Sequence, residues 1–236
     1  IYNSKKDWNN ALVGYDEVAV NAPNKFAERA VLTAARINFF ELKNYQKAEG
    51  YYGQLKQITA SQENKLEAMR GLLRCQYQLQ KRTEAVDNAK ELTSAKGSSA
   101  DDKSLANMAI AKSYQVAGDY GTAITNFKSV VQINKAALAA EARYEIANCY
   151  YQLNKLTDAE KSAFETINKS GSYDYWVTKA YILLGDVYFK QKDYFNAKAT
   201  FQSIVDNTLN TELKNEAQAK LSKVVDEESE SSKVGN

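Results

Sequence analysis

Apolar positions between residues 181 and 205 recur at helical intervals. Tyr181, Leu184, Gly185 and Tyr188 fall on one stripe, residues 191–193 form a polar break, and a second amphipathic run covers residues 194–205. This pattern predicts two helices joined by a tight turn. It also repeats. Cys75 to Ala85 nearly copies Cys149 to Ala159 at a displacement of 74 residues, twice 37. Ala11, Ala48, Ala85, Ala123, Ala159 and Ala197 follow at steps of 37, 37, 38, 36 and 38 residues. Four residues after them stand Tyr15, Tyr52, Phe127 and Phe201, with Ala89 and Ala163 in that place in the third and fifth units. Nine residues before them stand Tyr2, Phe39, Gln76, Tyr114, Tyr150 and Tyr188. Two helices bury small residues where their backbones come closest, so the alanine admits the partner helix and the ring fills the groove beside it. A single hairpin cannot cover its own apolar face, and neighbouring units must stack on it.

The register also describes the ends. Ile1 and Tyr2 fall late in the first helix of unit one, where an array does not naturally begin, so the register predicts a fragment of a longer protein with repeats or domains upstream. Asn210 is placed to N-cap a helix over residues 211–225, whose Leu213, Ala217, Leu221 and Val224 alternate with polar residues as in a capping helix. Residues 226–236 are acidic and serine-rich and are expected to be disordered. The expected organisation is an array over 1–209, a cap over 210–225 and a tail over 226–236.

Composition narrows the chemistry. Ten glycines and one proline in 236 residues are too few turn formers for a sandwich or barrel. Histidine is absent, which removes histidine acid–base catalysis, Ser–His and Cys–His pairs and histidine metal sites. Two cysteines without a histidine cannot make a zinc site. Because Cys75 and Cys149 occupy the same position two units apart, they are expected to be small buried hydrophobes rather than a disulfide. The last eleven residues hold four acids and one lysine, leaving the body at +5 against +2 for the whole chain, a mild excess that argues against nucleic acid as a partner. No apolar run approaches 18 residues, so no segment is expected to insert in a membrane. Acid pairs such as Asp16–Glu17 and Asp101–Asp102 lie at helix ends or in exposed sequence, where solubility and N-capping account for them. Neither an enzyme nor a bound cofactor is expected.

Unit six reads Tyr181-x2-Leu184-Gly185-x2-Tyr188 and then Ala197-x3-Phe201; unit four reads Ile110-Ala111-x2-Tyr114 and then Ala123-x3-Phe127; unit one keeps Ala11-x3-Tyr15 and the closing Pro23. On these residues the chain resembles the tetratricopeptide repeat (TPR) family over about residues 1–209. It departs from that pattern in having no tryptophan at the tryptophan position. The small residue of the first helix is replaced by Arg36 in unit two and Leu73 in unit three, and the units are about three residues longer than usual. The resemblance implies an all-α, right-handed superhelical solenoid of helix-turn-helix repeats, closed by a C-terminal capping helix. It also implies a protein-binding scaffold or adaptor that uses the concave groove lined by the first helices. Long units rich in Tyr, Asn, Lys and Gln look like those of bacterial cell-envelope proteins, which implies a periplasmic or outer-membrane-associated setting. A regulatory or targeting module of a larger enzyme or sensor, and a self-association module, stand as alternatives.

Three groove positions lie 15, 11 and 8 residues before each alanine. The first set is Thr33, Arg70, Met108, Tyr144 and Ile182; the second is Ile37, Arg74, Lys112, Asn148 and Asp186; the third is Phe40, Tyr77, Gln115, Tyr151 and Phe189. Rings fill the third set in four of five units, where they either contact a ligand or pack on the next helix. Arg70, Arg74 and Lys112 form a cationic cluster that requires solvent or an anion, which points to a partner protein or peptide with an acidic or carboxylate feature.

Overall fold

The computed structural model describes residues 6–22, 24 and 26–234, and says nothing of side chains 232–234. Ile1, Tyr2 and Pro23 lie outside the described residues. The chain divides into two compact units, Ile1–Ser113 and Tyr114–Asn236. In the first, α1 (Trp8–Val20), α2 (Ala27–Arg36), α3 (Tyr45–Ile58), α4 (Gln62–Gln78) and α5 (Arg82–Ser94) are followed by most of α6 (Ala100–Val116). In the second are α7 (Tyr120–Ile133), α8 (Ala137–Gln152), α9 (Leu156–Lys169), α10 (Asp174–Lys190), α11 (Tyr194–Asn207) and α12 (Thr211–Val234). No strand occurs among the described residues. The protein is all-α.

Every marker alanine is buried, and from Ala48 onward each sits on the second helix of its hairpin. The rings Tyr52, Phe127 and Phe201 are fully buried, as are Ala89 and Ala163 in the two units that lack a ring. Phe201 packs so closely on Gly185 that a Cβ there would lie 2.6 Å from the ring. The Tyr52 ring covers Gly71 of α4 in the same way, so unit three receives the ring of the unit before it on a glycine two residues from Leu73. Alternate helices also pack directly, α2 on α4 and α8 on α10 on α12, so within each unit the first helices of successive hairpins form one layer.

The hairpin turns share one backbone device. Lys6, Lys43, Gln80, Gly118, Asn154 and Lys192 all have positive φ, each one residue before the second helix's N-cap. In four hairpins the next N–H returns to the carbonyl five residues back, as in Lys81 to Gln76 and Asp193 to Tyr188, both at 2.9 Å. This is the Schellman closure, which favours glycine because a Cβ strains the left-handed conformation; only Gly118 meets that preference. Asp7, Asn44, Asp119 and Asp193 then accept from the backbone N–H three residues on and cap the second helix, whereas Lys81 and Lys155 make no side-chain cap. Asn210 caps α12 as expected, its Oδ1 accepting from Leu213 N at 3.0 Å.

Two expectations need correction. In unit two, α2 runs on into a π-helical turn, Ile37–Glu41, which holds one residue more than its counterparts. Its closing bond accordingly spans six residues, Asn44 N to Asn38 O at 2.8 Å. Everything before the turn therefore moves back by one position. Ala35, not Arg36, is the small residue against Ala48 and Tyr52, and Ile37 is buried rather than groove-lining. The apparent departure at Arg36 is an insertion. Secondly, α12 continues to Val234 where a disordered tail was expected from residue 226. Lys198 of α11 pairs with Glu228, and the Tyr194 and Ser231 hydroxyls lie 3.3 Å apart, so the acidic stretch is held against α11. Cys75 and Cys149 are free and buried, and burial pushes both thiols up to about 12.

Candidate functional site

In the first unit one of the predicted cations, Arg70, meets carboxylates of its own chain. The Arg70 guanidinium forks onto Asp102, with Nη2 at 2.8 Å from Oδ2 and Nε on Oδ1, and its Nη1 lies 3.5 Å from Glu67. Asp102 also accepts from Ser99 N and Oγ, both at 2.9 Å, and its side chain is only 4% exposed. The bonds from Arg70, and then those from Ser99, outweigh burial and hold the Asp102 carboxyl at about 2. Glu67 receives Arg36 Nη2 at 2.8 Å. Burial works to raise the Glu67 carboxyl, but the surrounding Arg36, Arg74 and Arg70 leave it below its ordinary value. Arg70 is thus a tie between α4 and α6. Arg74 remains exposed, Lys112 is half-buried, and Met108 is buried in the core and offers no groove surface. Phe40 and Tyr77 are nearly half exposed, Phe40 lying edge-on to Phe39 at 4.9 Å. The extra residue of the π-turn puts Arg36, missed from the sequence, in the place assigned to Ile37.

In the second unit the predicted positions converge. One groove of about 680 Å³ is lined by Tyr144, Asn148 and Tyr151 of α8 and by Ile182, Asp186 and Phe189 of α10, which are all three groove positions of units five and six. The third wall is α12, contributing Glu216, Lys220, Lys223 and Glu227. Repeat spacing carried no information about these residues, because the marker alanines used to set the register stop at Ala197 of unit six.

Ion pairs fix the walls. Lys220 Nζ lies 2.8 Å from both oxygens of Asp186, and Lys179 of α10 lies 3.2 Å from Glu216. Burial raises the Asp186 carboxyl above its ordinary value even beside Lys220. Burial also raises the phenols of Tyr144 and Tyr151. Tyr144 is tied partly into the core, its ring 5.5 Å from Trp176 and under Lys179 at 5.8 Å. Asn148 holds Glu145 at 3.2 Å. Ile182 is buried and forms the floor, while Tyr151 and Phe189 are half-buried with ring surface on the groove. The arrangement offers apolar ring faces bordered by ammonium groups, a surface for holding a chain. Among the described residues no three His, Cys, Asp or Glu side chains gather as metal ligands would. None of their helices is long and apolar enough to cross a membrane.

Comparison with known proteins places this geometry. Tetratricopeptide repeat models match residues 108–175 and 179–207. No curated protein matches the sequence. A thermophilic TPR protein of Thermus thermophilus has a similar structure at 17% identity and a TM-score of 0.55, over 83% of this chain and 99% of that one. BtubC from P. vanneervenii is similar at 12% identity and a TM-score of 0.65, over 92% and 90%. Yeast Tom70 is similar at 14% identity and a TM-score of 0.59, over 94% of this chain and 47% of that one. At these identities the likeness is one of fold. The chain contains tetratricopeptide repeats.

Proposed function

We propose that the chain is a non-catalytic protein-binding scaffold or adaptor and that the α8–α10–α12 groove takes an extended segment of a partner protein. The observation that carries this reading is the convergence of six repeat-derived positions on one groove of about 680 Å³. Stacked repeats present such a face without the reorganisation that a loop-built site requires. The acidic character first assigned to the partner from Arg70, Arg74 and Lys112 is better supported in this groove, because Arg70 already has its carboxylates in Asp102 and Glu67.

The test is a paired affinity capture with the wild-type chain and a Tyr151→Ala, Phe189→Ala double variant of unchanged circular dichroism. Proteins held by the first and lost by the second support the groove. Identical partner sets on both baits overturn it. Running the capture on bacterial envelope and soluble extracts tests the envelope setting at once, since a groove-dependent partner from the soluble fraction alone removes it.

A further inference from the structure

The ion pairs of the groove leave a net positive remainder. Asp186 takes Lys220 and Glu216 takes Lys179. Among the described residues Lys190, Lys192 and Lys223 of the lining make no ion pair, and only Glu227 stands unpaired against them. Two of these lysines are held in place by rings. Lys190 Nζ lies 4.8 Å from the centre of the Tyr151 ring, and Lys223 Nζ lies 5.5 Å from that of Phe189. A ring face attracts an ammonium group but offers its three N–H donors no strong acceptor. The groove therefore keeps two donor-rich cations beside the two rings that present apolar surface. One of those cations belongs to α12.

We propose that α12 is a wall of the binding groove as well as the cap of its unit, and that Lys223 of α12 with Lys190 of α10 selects a partner segment interleaving apolar side chains with carboxylates. This rests on the groove being the binding site. The apolar side chains lie on Tyr151 and Phe189, and the carboxylates take the free N–H donors of the two lysines. The Asp186–Lys220 pair acts at one remove, as the positioning contact that sets α12 against α10.

The experiment is fluorescence anisotropy on the full chain with two labelled peptides. Both carry Leu and Phe at alternate positions; one has Glu between them and the other Gln. The Glu peptide is expected to bind roughly tenfold tighter, the scale of two exposed charge contacts. The advantage shrinks as salt is added. It disappears in a Lys190→Gln, Lys223→Gln double variant that keeps its circular dichroism. Hydrogen exchange of the α12 amides slows when the Glu peptide binds. Exchanging Asp186→Lys with Lys220→Asp restores binding that either change alone weakens. Equal affinity for the two peptides overturns the cationic selection while leaving the groove as a binding site. Glu-selective binding with no change in α12 exchange overturns the role of α12 as a wall. Failure of both peptides to bind overturns the proposal, and the groove reading falls with it only if the ring variant also leaves protein capture unchanged.

Discussion

Two helical glycines should respond to the same substitution with opposite signs. Gly53 lies within α3 with nothing within 4 Å of an added Cβ, whereas a Cβ on Gly185 of α10 would lie 2.6 Å from Cε1 and Cζ of Phe201. Alanine in place of glycine in a helix gains about 0.5–1 kcal/mol at either site, because it restricts the unfolded chain. At Gly53 that gain stands alone, so Gly53→Ala should stabilise the protein. At Gly185 the methyl must displace a fully buried ring from a close-packed interface, an overpacking cost of about 1–3 kcal/mol. The net expected for Gly185→Ala is a loss on the order of 1–2 kcal/mol, or a fall in Tm of several degrees. Urea denaturation followed at 222 nm measures both. The mechanism is isolated by Phe201→Leu, which removes the ring. Against that background Gly185→Ala should cost at least about 1 kcal/mol less than it does alone, a coupling of the size found for residues in contact. Equal signs at Gly53 and Gly185, or additivity with Phe201→Leu, would refute the claim that the glycine admits the ring.

Other outcomes follow from the turns, the caps and the Arg70 fork. Gln80→Gly and Lys192→Gly should each stabilise by about 0.5–1 kcal/mol, since both residues hold positive φ, and Gly118→Ala should cost a similar amount, as read by thermal denaturation. Lys155→Asp supplies the missing N-cap of α9 and should add about 1 kcal/mol in the same assay. Asp102 is held at about 2 against an ordinary 3.8, so its contribution, on the order of 2 kcal/mol, is complete above pH ~4 and is lost as pH falls towards 2. Urea midpoints across that window should fall in the wild type and much less in Asp102→Asn. At neutral pH, Arg70→Ala should cost about 3 kcal/mol, because it leaves the buried Asp102 carboxylate without its cation.

The repeat was legible because its determinants are local. An alanine at each closest approach and, in four of the six units, a ring four residues on are spaced by helix geometry alone, so counting residues recovers the hairpins, and the N-cap signal of Asn210 marks the start of α12. The same counting located the second-unit groove, because Tyr144 to Phe189 lie on consecutive first helices of regular units. It failed where the backbone changes its rise. The π-turn at Ile37–Glu41 inserts one residue, and no side-chain pattern distinguishes that from a substitution, so Ile37 was assigned to the groove in place of Arg36. It also failed where partners lie a full repeat away. Arg70, a free cation by its register, is committed to Asp102, 32 residues on. Residues 226–234 of the tail expected to be disordered continue α12, with Lys198 and Tyr194 of α11 beside them. Sequence by itself determined which residues form each hairpin, since i to i+4 spacing is a property of the single helix. Which charges remain available, and that α12 walls the groove, were decided by the stacking of units, since ion pairing and burial depend on neighbours that chain order does not reveal.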